Sequence, residues 1–231
     1  MAGLKAALER KYSPDQPRDD HGRWTLGGGG GRVLSPGQRR VAAALWRNIQ
    51  ASGKITPAIY ARMQAAHLMI GDVMPPGLYQ AEFTPQWDSS SVGIGARVNV
   101  LDSKHCQFVY VDGDGGSQIL SSEPGGKDGK TLTALTGSFD GNGPHSLGTV
   151  IGDRGEDISI SSVQNNTPWS DNILLEKMNA TARDISGQKI GYFIPGPNSN
   201  SMFFSIASAY GLRVNASSWT PGDQGELSPH R

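Results

Sequence analysis

Ser199 and His105 are the two side chains whose types, order and settings suit covalent chemistry. Ser199 follows Pro195, Pro197 and Asn198 and opens a run in which Met202, Phe203, Ile206 and Tyr210 recur at helical spacing. The prolines stop any helix upstream, and Asn198 is a good N-cap. Gly211 fits the left-handed position that closes the run, with Leu212 as the apolar residue after it. Ser199 thereby falls in the first turn of a buried helix, where unpaired amides favour negative charge, as a nucleophile requires. His105 begins the run Lys104 to Val111, which with Ser117 to Leu120 flanks the turn Asp112-Gly113-Asp114-Gly115-Gly116. Two β-rich runs about an Asp-Gly turn predict a hairpin. On its first strand His105 shares a face with Gln107 and Val109, whereas Cys106 points the other way with Phe108 and reads as a small buried apolar residue.

A Ser–His pair transfers acyl groups when the imidazole removes the hydroxyl proton as the oxygen attacks a carbonyl carbon. A third group that orients His105 is expected on the next strand. Gln118, Ser121 and Glu123 are the candidates there, and Gln118 and Glu123 could take part in the orienting hydrogen bond. Gln107 could polarise an acyl oxygen, and Asn198 and Asn200 flank the nucleophile as candidate substrate-binding groups. The plainer reading makes Asn198 to Ser201 only a polar helix cap and His105 an ordinary hairpin histidine.

The positioning elements follow from the pattern along the chain. Residues 1–34 read as a flexible appendage, with a glycine run from Gly27 to Gly31 that lacks the Lys-Ser/Thr of a phosphate loop. Residues 35–74 read as a helical hairpin: Ser35-Pro36 and Thr56-Pro57 repeat one start signal, and His67 falls in the second helix. Residues 75–222 form the α+β domain, and 223–231 a disordered tail. Within it, strands are expected at Leu78–Phe83, Ala96–Leu101, Lys130–Leu135, Thr149–Ile151, Ile158–Val163 and Ile190–Ile194. Trp87 lies in a loop between the first two, and the turn Gly141-Asn142-Gly143-Pro144 carries His145 nearby. Ser170 caps a helix at about 171–185 with Ile173, Leu174, Met178, Ala182 and Ile185 on its apolar face.

Composition bounds the function. With 21 basic and 21 acidic residues in 231, the chain lacks the charge footprint of a nucleic-acid binder. A single cysteine makes no internal disulfide, and no Cys/His cluster has the spacing of a metal site. The Asp-Gly-Asp-Gly turn fails the calcium-loop spacing. No cofactor is implied. No apolar run is long enough to span a membrane, and Met1 to Arg10 lacks the apolar region of a signal peptide. A soluble protein of a reducing, cytoplasmic compartment is expected, or one carried in a virion.

Two resemblances add to this. The string from Pro14 to Trp24 resembles a short tag found in tailed-phage and prophage proteins of the head/portal module. The order of a strand-borne His105, a helix, and Asn198-Ser199-Asn200-Ser201-Met202 beside Phe203 resembles a circularly permuted papain-like fold. That fold occurs in the lecithin:retinol acyltransferase branch and related amidase-like families, with Ser199 where those members carry Cys. The resemblance covers residues 98–222, including Pro221-Gly222. It implies an α+β domain whose antiparallel sheet packs on the nucleophile-bearing helix. It also implies an amidase, peptidase or acyltransferase acting on a peptide, lipid or acyl substrate, in a phage or prophage setting with head or portal proteins as partners. The rival expectations are a catalytically inactive virion-associated interaction module and a toxin domain acting on a host protein.

Overall fold

The computed structural model describes residues 33–84, 104–125, 129–192 and 198–215. The string Pro14 to Trp24, the glycine run, the loop at Trp87, the expected strand Ala96–Leu101 and the C-terminal tail lie outside these residues.

The first helix, α1 (Pro36–Ser52), starts on a reciprocal cap: Ser35 accepts the Gln38 N–H while the Gln38 side chain accepts the Ser35 N–H. It stops at Gly53, whose φ of 65° is left-handed. A two-residue strand, β1 (Lys54–Ile55), leads to α2 (Pro57–Ala65), which Thr56 caps. The second helix is shorter than its apolar spacing suggests. His67 is not helical but sits at φ 52°, and a short α3 (Ile70–Val73) follows. The Asp140 carboxylate accepts the Ile70 N–H at 2.6 Å and holds the start of α3 in place, a long-range bond that no local pattern reveals.

Strands β2 (Gly77–Phe83), β3 (His105–Val111), β4 (Ser117–Gly125), β5 (Thr131–Gly137) and β6 (Ile158–Ser162) complete an antiparallel six-stranded sheet of order β1-β6-β2-β3-β4-β5. Thr149–Ile151 is not a strand. It lies in a π-helical turn (Gly148–Asp153), where the Thr149 hydroxyl bonds back to the carbonyls of Asn142 and Gly143. The expected strand Ile190–Ile194 is represented among described residues by one bridge, Gly191 to Thr131. Two further helices, α4 (Asp171–Gly187) and α5 (Ser199–Ala209), follow the sheet. Ser170 stands at the N-cap of α4, although its hydroxyl bonds the Asn172 side chain instead of a backbone N–H.

Alternation divides the sheet into two buried faces. Tyr79, Ala81, Phe83, Val109, Val111 and Ile119 pack with α1, α2, α3 and the π-helical turn. Leu78, Cys106, Phe108 and Leu120 pack with α4 and α5, where Phe108 stacks on Phe203 with centroids 4.2 Å apart. The fold is therefore α+β in three layers. The helical hairpin shares the core of the first face.

One departure from regular pairing builds the site. Strand β3 pairs with β2 over its whole length, to His105 opposite Phe83. Its ladder with β4 ends at Phe108 opposite Leu120, while β4 continues to pair with β5 as far as Gly125. The sheet thus splits between β3 and β4, and the N-terminus of α5 closes the gap. The Asn200 side chain accepts the Cys106 N–H at 2.9 Å and donates to the Lys104 carbonyl at 2.7 Å. Were the β3–β4 ladder continued in register, the Cys106 N–H would meet the Ser122 carbonyl and the Lys104 carbonyl would meet Pro124, which has no N–H to give, so Asn200 stands in for both. Ser122 on β4 donates to the Ser199 carbonyl at 3.2 Å from the other side.

Candidate functional site

Ser199 is the first residue of α5, and the helix begins there because Asn198 caps it, accepting the N–H groups of Asn200 and Ser201. That cap, and the Asn198 carbonyl that accepts the Met202 N–H, consume three amides of the first turn. Tyr192 lies beside Ser199, whose backbone and side chain both bear on the Tyr192 hydroxyl. Burial raises the Tyr192 pKa, and the two bonds from Ser199 oppose that shift.

His105 approaches from the opposite layer. It shares its face with Val109 and lies against Phe83, with ring centroids 5.0 Å apart, whereas α5 covers the other face. Only the split between β3 and β4 lets the two meet. Ser199 Oγ lies 2.9 Å from His105 Nδ1, and both residues are buried. His105 Nε2 lies 2.7 Å from Ser121 Oγ on β4, and Ser121 Oγ lies 3.0 Å from His145 Nδ1. The result is a linear series: Ser199, His105, Ser121, His145.

Both ring nitrogens of His105 are occupied by hydroxyls, so neither Gln118 nor Glu123 orients it. Gln118 is exposed opposite Tyr110, and Glu123 pairs with Thr133 on the part of β4 that has left β3. Burial raises the Glu123 pKa. Gln107 donates to the His145 carbonyl at 3.0 Å, and its Oε1 is buried with no hydrogen-bond partner. Asn198 and Asn200 spend their side chains on the helix cap and the strand edge. Sequence reasoning passed over His145, placed near a Gly-Pro turn at φ 66°, and Arg154. Arg154 pairs with Glu156 at 2.6 Å, bonds the Thr84 carbonyl, and lies 5.7 Å from the Phe83 ring centroid. The positive φ of His145, which turns its side chain toward Ser121, is a feature that no residue spacing announces.

No family model, curated protein or solved structure matches this chain. The chemistry therefore rests on the geometry.

Burial lowers the His105 pKa well below 6.5, and the neighbouring His145 and Arg154 add to the effect. At neutral pH His105 is thus the uncharged imidazole that a general base must be, one that yields its acquired proton readily to a leaving group. A serine hydroxyl is too weak an acid to ionise beside a helix terminus alone, so its proton must leave as the oxygen attacks. The 2.9 Å contact permits that. The Tyr192 hydroxyl beside Ser199 is a candidate donor to a developing oxyanion. The cavity beside Ser199 is small, about 10 Å³ or room for about one water, and it is lined by Phe108, Leu120, Met202, Phe203 and Ile206 together with Ser121 and Ser199. Among the described residues no three His, Cys, Asp or Glu side chains gather as a metal site, and no helix is long and apolar enough to cross a membrane.

Proposed function

We propose that this chain is a hydrolase or acyltransferase of amide or ester bonds that works through a Ser–His pair on a permuted papain-like fold. The observation that carries the reading is the 2.9 Å contact between Ser199 Oγ and His105 Nδ1, two residues 94 positions apart that a split in the sheet brings together. The order of a strand-borne base before a helix-borne nucleophile, with an antiparallel sheet packed on that helix, supports the papain-like assignment. Ser199 Oγ attacks the carbonyl carbon while its proton passes to His105 Nδ1. The oxyanion is met by the proton of the Tyr192 hydroxyl. His105 then gives the proton to the departing nitrogen or oxygen, leaving an acyl-Ser199. Water or an acceptor alcohol or amine, deprotonated by His105, releases the acyl group. The substrate is a peptide, a lipid or another acyl donor.

The string from Pro14 to Trp24 supports a phage or prophage origin, with action in the bacterial cytoplasm or the virion and head or portal proteins as partners. A second reading, an inactive virion-associated interaction module, is favoured by the one-water cavity and by serine in the place of cysteine. A toxin domain acting on a host protein shares the chemistry of the first.

An aryl fluorophosphonate and an activated aryl ester separate these readings, with intact-mass detection of the adduct. The wild-type chain is expected to take one adduct at Ser199, Ser199→Ala none, and His105→Gln to react at least about a hundredfold more slowly. A wild-type chain that takes no adduct at Ser199 overturns the enzymatic reading and leaves the interaction module.

A further inference from the structure

Ser121 has one proton and stands between two imidazoles, 2.7 Å from His105 Nε2 and 3.0 Å from His145 Nδ1. A hydroxyl donates once and accepts twice. If Ser121 donates to His145, it accepts from His105 Nε2–H. His105 Nδ1 is then bare and accepts the Ser199 proton. If Ser121 donates to His105 Nε2, the proton of His105 lies on Nδ1, points at Ser199 Oγ, and blocks transfer. Accepting from both imidazoles would leave the Ser121 proton without either partner in a buried place, a state disfavoured about tenfold or more.

We propose that His145, acting through Ser121, is a positioning residue that sets the tautomer of His105 and so decides whether Ser199 is armed. It rests on the acyl-transfer reading for its consequence, though not for its geometry. His145 as an acceptor at Nδ1 arms the series, and a proton on that nitrogen disarms it. The fold commits structure to this arrangement. Gln107 holds the His145 carbonyl at 3.0 Å, the two imidazole centroids are 4.3 Å apart, and Phe83 packs on both rings. The charged and titratable groups facing His145 among the described residues are His105 on β3 and Arg154 beyond the π-helical turn, itself paired with Glu156. From β2 and β4 come Phe83 and Ser121, which carry no charge. Burial first and Arg154 second lower His145 to about 4, so through the neutral range it is uncharged and able to present Nδ1 as an acceptor, an ability lost as pH falls toward that value and both nitrogens carry protons.

Two substitutions suit the left-handed backbone of residue 145, which has φ 66°. His145→Asn keeps an acceptor oxygen close to the position of Nδ1, and His145→Gly removes it. Long-range nitrogen–proton NMR on histidine-labelled protein reads the His105 tautomer directly at neutral pH. Wild type and His145→Asn are expected to show His105 protonated at Nε2 alone. His145→Gly and, by another route, Ser121→Ala are expected to show a mixture. Acylation of Ser199 by an aryl ester is expected to slow about tenfold or more in His145→Gly with KM unchanged, and to recover in His145→Asn. Loss of the acid limb that titrates with His145 should accompany that recovery. A His105 tautomer identical in all four proteins overturns the inference, as does His145→Asn behaving like His145→Gly. Failure of wild-type Ser199 to acylate would overturn the acyl-transfer reading alone, because the NMR result decides the tautomer claim without turnover.

Discussion

Replacing Asn200 with alanine tests the account of how the site is built. The Asn200 carboxamide satisfies two backbone groups of β3 at once, the Cys106 N–H at 2.9 Å and the Lys104 carbonyl at 2.7 Å. Cys106 is fully buried and Asn200 is 4% exposed. A buried backbone group left without its partner costs about 1–3 kcal/mol, so the two together cost about 2–6 kcal/mol. That is a large share of the roughly 5–15 kcal/mol by which a domain is stable. Urea unfolding followed by tryptophan fluorescence measures it. Asn200→Asp adds a check on sign. Ionised, its carboxylate keeps the Cys106 bond but sets an oxygen against the Lys104 carbonyl; protonated, it donates there. Its folded-state pKa is therefore raised, and the variant is expected to gain stability as pH falls through that value, where Asn200→Ala does not. A loss below about 1 kcal/mol in Asn200→Ala would refute the claim that this side chain stands in for β4.

Three further outcomes follow from other contacts. A Cβ on Gly71 would lie 2.2 Å from the Gly115 carbonyl oxygen, so Gly71→Ala must push α3 off the β3–β4 turn. The expected loss is about 1–3 kcal/mol in a thermal melt, and an unchanged melt would contradict it. Burial raises the Asp140 pKa above its ordinary value, with a smaller push from Asp72, more than the bonds from Ser117 and the Ile70 N–H lower it. The fold accordingly gains stability as pH falls from the raised folded value toward the unfolded one. Asp140→Asn, whose amide can serve both partners, should lose that dependence, and matching pH profiles of the urea midpoint in the two proteins would count against it. Burial and the adjacent Glu82 push the Cys106 thiol well above its usual range. Cys106 is expected to react with an aromatic disulfide reagent only as fast as the chain unfolds; prompt reaction of the folded protein would disprove this.

Local rules made much of the site legible. Asn198 fixed where α5 begins, and Gly211 at φ 60° fixed where it ends. The Asp-Gly turn predicted the β3–β4 hairpin, where the Asp112 carboxylate accepts the Asp114 and Gly116 N–H groups. Alternation placed Cys106 away from His105, and the two lie on opposite faces. The same alternation separates Gln118 from Ser121 and Glu123, since Gln118 falls on the other face of β4. It does not choose between the remaining two. Glu123 drops out because β4 diverges from β3 before reaching it, and Ser121 is the last residue close enough to serve. His145 was illegible for a related reason: a glycine- and proline-rich segment has no period from which to read a direction.

By itself, the sequence determined those features set within a few residues of one another: caps, turn chemistry, the alternation of buried and exposed side chains, and the neutral charge. Tertiary structure decided which groups compete for the same hydrogen bonds. The Cys106 N–H goes to Asn200 across 94 positions instead of to the neighbouring strand. That choice splits the sheet, brings a histidine of one layer to a serine of the other, and selects Ser121 and His145 as the groups behind it. No local preference encodes such a competition, because its outcome depends on the burial of both partners at once.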